Sequence, residues 1–155
     1  MKFAKMSVIA AVAALVLSAW GNVASAQMTG WATGRWRAVD STTRMAKGTM
    51  LDLQNVPLYN VDMRLHGAAK SGNVVGSVAN LPRPNVKLFS LLGGYTVDAN
   101  GRTYVSAQLV LPVGPMFVLF GVFEAAFDAT PQAPSIGMPW LPATSGHFHG
   151  RWWHN

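Results

Sequence analysis

The sequence predicts an all-β domain behind an N-terminal signal peptide. The expected architecture is an antiparallel sheet of about eight strands, folded as a small barrel or sandwich, with one short helix as an option. Three observations predict this class. Asn100-Gly101, a pair suited to a type I′ turn, separates two β-rich stretches. Apolar and polar residues alternate along several segments, as in strands with one buried face. Turn residues recur at short intervals, so most connections are expected to be hairpins.

The composition is that of a folded domain without cross-links. Half of the 155 residues are hydrophobic, 12% are charged and none is cysteine. The hydrophobic share is too high for a disordered chain. The lack of cysteine excludes a disulfide scaffold, a zinc ribbon and a cysteine nucleophile.

The first 26 residues predict a secretory signal peptide. Lys2 and Lys5 form a positive start, residues 6–19 are uncharged and mostly apolar, and a cleavage site of small residues ends at Ala26. An uncleaved anchor is the alternative, but a bilayer needs about 20 apolar residues. We therefore expect a secreted or periplasmic mature chain, one β-rich domain over residues 27–155, without a transmembrane helix.

The first half of the mature chain predicts four strands and one ambiguous segment. The strands are expected over residues 31–39, 48–56, 61–66 and 74–81. Pro57 closes the second strand, and residues 70–73 form the turn before the fourth. Residues 85–93 fit either a short helix, capped by Asn85 and ended by Gly93, or another strand.

The second half continues through the hairpin at Asn100-Gly101. A strand over residues 103–111 is expected to precede a break at residues 112–115 and a second strand over residues 116–127. The odd positions of this second strand form one apolar face: Phe117, Leu119, Phe123 and Phe127. Its even positions are also apolar up to Val122, which predicts a central or covered strand. Pro112, Gly114 and Pro115 interrupt the 21 uncharged residues from 103 to 123, so a hairpin is favoured over a transmembrane helix.

Residues 129–145 contain four prolines and predict a long ordered loop before a last strand over residues 146–153. Long loops in small domains are often functional, and large aromatic side chains supply contact area. The candidate ligand or partner contacts are Trp36, Met138, Trp140, Trp152 and Trp153. The alternative is that these side chains only pack the loop and the tail onto the core.

The two ends of the mature chain share the pattern G-x-x-x-G-R-W, at residues 30–36 and 146–152. On a strand, the glycines and the tryptophan share one face and the arginine points to the other. Glycine there lets a ring or a backbone approach closely. We hypothesise that the two end strands lie side by side and close the sheet; coincidence in a glycine-rich chain is the alternative.

Gly34-Arg35-Trp36 resembles the G-x-W opening of lipocalin-like barrels. The resemblance covers three residues. In that family the tryptophan packs across the barrel base and the barrel holds an apolar ligand. The resemblance therefore implies a small closed barrel.

His147 and His149 have the spacing of metal ligands on one strand, since alternate residues share a face. A zinc or copper site needs a third ligand, which His66 or Asp62 would supply if the fold brings either one near. The alternative is two polar side chains on a solvent-facing strand, so no cofactor is predicted.

The sequence gives little support for catalysis. It has six carboxylates and lacks a G-x-S-x-G elbow, a phosphate-binding glycine loop and an H-E-x-x-H motif. Glu124 follows a strongly apolar strand, so it is the acid that is expected to be partly buried. The alternative is that it marks the point where the strand emerges into water. We expect a protein that is not an enzyme.

The basic residues are scattered rather than clustered. Without Lys2 and Lys5 the formal net charge falls from +6 to +4. A nucleic-acid interface needs a concentrated basic stripe, so no nucleic-acid partner is expected. Weak attraction to anionic envelope polymers or lipid headgroups fits this charge better.

The expected function is binding of a small apolar ligand, or of a protein partner, at the cell envelope. The alternative is a structural or surface-interaction module that self-associates through an apolar strand face. That face consists of Met116, Val118, Phe120 and Val122. An interior cavity would favour the first function, and a filled core with an exposed apolar stripe the second. An outer-membrane barrel is a third option, but the first four strands lack continuous outward apolar alternation.

Overall fold

The structure, a computed structural model, describes residues 28–129 and 145–154, without the side chains of residues 84, 85 and 129. The described chain forms eight strands and no helix. In chain order they are β1 Gly30–Ala38, β2 Thr43–Asp52, β3 Pro57–Gly67, β4 Ser71–Asn80, β5 Arg83–Val97, β6 Thr103–Val113, β7 Met116–Ala129 and β8 Ser145–His154. Each strand pairs antiparallel with the next, and β8 pairs with β1. The predicted all-β class is confirmed as a closed barrel.

The strands that carry the two G-x-x-x-G-R-W repeats are the pair that closes the barrel. Their register sets Gly30 opposite Trp152, and Trp36 opposite Gly146. The repeat arginines, by contrast, are exposed on the outer wall. The hypothesis that the two end strands lie side by side is therefore confirmed, as is the predicted division of each repeat between two faces.

The register makes a narrow barrel. A path that starts at Ala38 and follows paired residues once round the barrel returns to β1 at Gly30, eight residues away. Eight strands with a shear of about this size enclose an interior that side chains can fill. Inward-facing residues do fill it. The largest fully buried side chains are Trp152, Phe123, Phe148, Met50 and Met63.

Two hairpins turn through the same five-residue arrangement. Asp52 Oδ1 accepts the backbone N–H groups two and four residues later, both at 2.8 Å, and Asp98 Oδ1 does the same at 2.9 Å. Three residues after each aspartate the backbone is left-handed, with φ of 64° at Asn55 and 80° at Gly101. The hairpin predicted at Asn100-Gly101 is confirmed. Its turn, however, has one positive-φ residue rather than the two of type I′, because Asp98 holds the preceding backbone.

The turn between β1 and β2 has its own aspartate. The Thr42 backbone N–H donates to Asp40 Oδ1 at 2.8 Å, and the Thr42 hydroxyl donates to the same oxygen at 2.9 Å. The backbone hydrogen bond first, and then the hydroxyl, hold the pKa of the Asp40 carboxyl below its ordinary value, because both stabilise the charged form.

Several predicted boundaries differ from the structure. For residues 85–93 the strand alternative is confirmed and the helix is not, because β5 continues through Gly93 and its partners on β4 and β6 hold it extended. Pro57 begins β3 instead of closing the strand before it, and β2 already ends at Asp52. Ser71 opens β4 rather than lying in a turn, since it pairs with Thr96.

The apolar face predicted for the odd positions of β7 is wrong for its first half. Phe123 and Phe127 lie in the core, but Phe117 is 66% exposed. The register of β6 and β7 shifts between Leu109 and Val110. Such a shift inserts one residue and reverses the alternation beyond it. Phe120, from the predicted other face, packs against the core instead.

Candidate functional site

Trp36 and Trp152 occupy equivalent positions in the β1–β8 pair that closes the barrel. The Trp36 indole N–H donates to the Asp128 carbonyl at 3.1 Å, and the Trp152 indole N–H donates to the Leu51 carbonyl at 3.0 Å. Each indole therefore reaches across the β1–β8 pair to the next strand. Both side chains are buried. A contact of either one with a ligand or partner stays a prediction.

A glycine makes room for each of these hydrogen bonds. A Cβ at Gly146 would lie 2.6 Å from Trp36 Nε1 and would overlap the carbonyl oxygen of Asp128. A Cβ at Gly30 would lie 2.8 Å from Trp152 Nε1 and would overlap the Leu51 carbonyl oxygen. The repeat thus places a ring on one strand and the space for it on the other.

The remaining candidate contacts fall in two groups. Trp153 lies on the outer wall, half-buried, with the Arg151 guanidinium 5.2 Å from its ring centroid. It lies opposite Val122 in the register, and Val122 is buried although it belongs to the outer face. Met138 and Trp140 lie outside the described residues, as does the predicted cleavage position Ala26.

His147 and His149 are both exposed, so the predicted sharing of one face is confirmed. His149 Nδ1 lies 3.5 Å from the Thr33 hydroxyl. Among residues 28–129 and 145–154, no group of three or more His, Cys, Asp or Glu side chains could hold a metal ion. In the described part of the chain, neither His66 nor Asp62 therefore completes a site with this pair.

Both ends of the barrel interior are occupied by side chains. At one end the Phe89 ring stacks on Phe120 at 4.1 Å, and Tyr59 packs edge-on against Phe89 and against Trp152. At the other end, Arg44 lies over the ring of Trp36 at 5.5 Å. Its guanidinium also donates to the Thr103 hydroxyl at 2.8 Å. In the described part of the chain, side chains therefore cover both ends of the interior, unlike the open mouth typical of a ligand-carrying barrel.

The outer wall carries charge of both signs. Its ion pairs in the described chain are Lys47 with Asp62 at 3.3 Å, Arg102 with Asp128 at 3.0 Å, and Arg151 with Glu124 at 3.3 Å. Glu124 is therefore a paired surface acid. An outer-membrane barrel has an apolar outer band and a polar interior. The charged wall and apolar interior of this barrel have the reverse polarity.

An open groove crosses the outer wall of β5 to β8 and reaches β1. Its edges include two exposed rings, Trp31 and Tyr104, and the Glu124–Arg151 ion pair lies between them. His149 also lines the groove. Aromatic faces beside hydrogen-bonding charges are suited to stacking and polar contacts, but the site is shallow and open to water.

The β6–β7 connection leaves the barrel as a free-standing ribbon, residues 111–118, here named the rim hairpin. Pairing of β5 with β6 ends at Val110, and pairing of β7 with β8 ends at Gly121. The β6–β7 ladder continues beyond both points to Val113 opposite Met116. In the described chain, the rim hairpin therefore pairs only with itself.

The rim hairpin is apolar and exposed. Met116 and Phe117 are each 66% exposed, and Leu111, Val113 and Val118 are exposed as well. The paired residues alternate between the two faces of the ribbon, so apolar side chains project from both. No charged residue lies in this segment.

The same end of the barrel carries more apolar and basic groups. Leu53 and Val56 in the β2–β3 turn are exposed there, and Val86 is exposed on β5. Arg83 and Lys87 are exposed on β5. Lys87 lies three residues beyond Ser90, the last β5 residue to pair with β6, and it still pairs with Ala79 of β4, so it belongs to the barrel wall at the end that carries the rim hairpin.

Two residues of this surface, Met116 and Val118, belong to the self-association face expected from the sequence, whereas Phe117 was expected in the core. The signal in the sequence is that both faces of the predicted strands are apolar on either side of Gly114-Pro115, with no charged residue nearby. A strand covered on both sides and a ribbon exposed on both sides share this pattern. Only the end points of the neighbouring ladders separate the two cases.

Comparisons with known proteins supply no family for this chain. No known protein family, curated protein or solved structure matches it. Residues 28–129 and 145–154 contain no helix long and apolar enough to cross a membrane.

Proposed function

We propose that this protein is a non-catalytic interaction module of the cell envelope and that it binds its partner through the rim hairpin. The observation that carries the proposal is the exposure of Met116 and Phe117, 66% each, on a ribbon outside the barrel wall. Large contiguous apolar surfaces on a monomer mark interaction sites. The predicted export signal supports the envelope as the place of action.

The filled interior supports this function over a carrier of a small apolar ligand. Phe123 and Phe148 at the centre are fully buried, and aromatic side chains close the end that carries Phe89. A ligand inside would have to displace packed side chains, which costs stability. The self-association face expected from the sequence is also narrower than its four residues, because Val122 is buried and Phe120 packs on the core.

The rim hairpin offers a moderate driving force. Its five large apolar side chains are between 38% and 66% exposed. Covering them would contribute on the order of 5 kcal/mol, from about 1.5–3 kcal/mol for each fully buried side chain. Association of two proteins costs about 4–15 kcal/mol in lost freedom. The hairpin alone therefore supports at most weak, reversible binding to a protein, and the rest of the affinity has to come from other contacts.

Fractionation of an exporting host tests the proposal. The full chain is expressed with its own leader, and the envelope membranes are separated from soluble protein by ultracentrifugation. We expect the wild type in the membrane fraction and the double variant Met116→Ser, Phe117→Ser mostly in the soluble fraction. Val39→Ser is the matched control, since Val39 is 54% exposed at the opposite end of the barrel.

The variants must fold for this comparison, which far-UV circular dichroism checks. A folded hairpin variant that pellets as completely as the wild type would contradict the proposal. A Val39→Ser variant that is lost from the membranes to the same extent would contradict it too, because binding would then depend on general hydrophobicity.

A further inference from the structure

We infer that the partner of the rim hairpin is an anionic lipid bilayer, into whose interfacial region the hairpin tip inserts. This inference rests on the proposed function and names its partner. The barrel wall stays in water, and the end that carries residues 111–118 faces the lipid.

The two-sided exposure of the ribbon favours lipid over a protein partner. Leu111 pairs with Val118, and the next pair, Pro112 with Phe117, projects from the opposite face. A flat protein surface covers one face of a ribbon and leaves the other in water. Acyl chains surround an inserted ribbon and cover both faces at once.

The reach of the ribbon matches shallow insertion. β6 continues for three residues past Val110 to Val113, which is about 10 Å at roughly 3.3 Å per residue. Interfacial segments bury their apolar face about 5–10 Å into the boundary between headgroups and acyl chains. The tip turns through Gly114 and Pro115 without a charged side chain, so no ionised group has to enter the lipid.

Basic side chains lie where headgroups would be. Lys87 is exposed on β5 at the same end of the barrel as the ribbon, and Arg83 is exposed earlier on the same strand. The acid at this end, Asp52, uses a carboxylate oxygen to hold its own turn. Lys and Arg near an anionic leaflet each contribute about 1 kcal/mol, which corresponds to roughly fivefold in affinity.

The base of the ribbon is rigid enough to present the tip. Phe120 stacks on Phe89 at 4.1 Å and contacts the ring of His154 at 5.8 Å. A two-stranded ribbon by itself is only marginally stable in water. Anchoring at Phe120 lets the exposed part stay extended before it meets a surface.

The absence of cysteine makes the test direct. Full-length exported protein carries a single cysteine, Phe117→Cys or Val39→Cys, labelled with an environment-sensitive fluorophore. The probe is a vesicle of phosphatidylcholine with 30% phosphatidylglycerol and no protein. We expect a several-fold rise in emission at position 117, quenched by lipids that carry a nitroxide in the upper acyl chain, and no change at position 39.

Charge dependence gives the second arm. Lys87→Gln is expected to weaken binding to the anionic vesicles about fivefold and to leave the weaker binding to pure phosphatidylcholine unchanged. The same label reports this affinity. Folding of each variant is checked by circular dichroism before the titration.

Four outcomes overturn the inference. They are no response at position 117 on vesicles, an equal response at position 39, no effect of Lys87→Gln, and a concentration-dependent response without lipid, which indicates a second copy as the partner. If the wild type still pellets with envelope membranes in a hairpin-dependent way, the first outcome leaves the proposed function standing and assigns the hairpin to a protein partner. Loss of that fractionation result removes both.

Discussion

Gly146→Ala is expected to destabilise the barrel strongly, because the glycine leaves space for the Trp36 hydrogen bond. The new Cβ would overlap the Asp128 carbonyl oxygen and lie 2.6 Å from Trp36 Nε1. A shift of strand or ring in a packed core costs about 1–3 kcal/mol. Loss of the indole hydrogen bond adds about 1–3 kcal/mol for the unsatisfied donor. The expected total, about 2–6 kcal/mol, is a large part of the stability of an ordinary domain.

Urea unfolding followed by far-UV circular dichroism measures this loss as a lower midpoint at unchanged slope. Gly94→Ala is the matched control, since its Cβ would meet only the Gly72 carbonyl oxygen, at 3.2 Å. We expect less than about 1 kcal/mol there, because alanine also reduces the entropy of the unfolded chain. Trp36→Phe removes the same hydrogen bond and should cost much less in the Gly146→Ala background than in the wild type. Equal effects of the two glycine variants, or fully additive effects of Gly146→Ala and Trp36→Phe, would refute the reasoning.

The remaining predictions concern turns and surface charge. Asn55→Ala should lower the free energy of unfolding by about 1–2 kcal/mol and Asn55→Gly should not, because the left-handed backbone penalises a Cβ; thermal melts that rank the two variants equally would count against this. Asp98→Ala should lower the free energy of unfolding in urea by about 1–2 kcal/mol, since two backbone N–H groups lose their acceptor. Glu124→Gln removes a surface ion pair and should lower the free energy of unfolding by less than about 1 kcal/mol, an effect that high salt should abolish. Because its pKa is lowered in the fold, Asp40 stabilises the barrel above its ordinary pKa of 3.8 and loses that contribution as the pH falls through the lower folded value. Asp40→Asn and the wild type should therefore converge in stability only below pH 3.8, and a constant difference across an acid titration would contradict this.

The pairing of the two end strands could be predicted because the face on which each glycine and tryptophan lies depends only on whether their spacing is even. Gly30 and Trp36 share a face whatever the register, and so do Gly146 and Trp152. A repeat that places small and large residues on one face at both ends of a chain needs a partner of complementary size. The structure pairs each tryptophan with the other repeat's glycine.

The candidate site was much less predictable, because it depends on where neighbouring ladders stop. Phe117 and Phe123 have the same parity and similar local sequence, yet one is 66% exposed and the other is fully buried. The register shift after Leu109 and the end of β5–β6 pairing at Val110 decide between them. Those features belong to three strands together. Trp36 was open to two interpretations for a related reason: an indole suits a core as well as a contact surface, and only the β1–β8 register separates them.

The residues that stabilise the barrel and the exposed residues of the rim hairpin are different sets. This difference helps to explain why the hairpin is apolar. Met116 and Phe117 remain mostly in water after folding, so the barrel gains little from their hydrophobicity. Exposed apolar ribbons instead carry a risk of aggregation, which charged side chains would reduce. The ribbon nevertheless has no charge, while the barrel wall beside it has ion pairs such as Arg151 with Glu124. An apolar composition that helps neither folding nor solubility is expected of a surface that a binding partner covers when the protein functions.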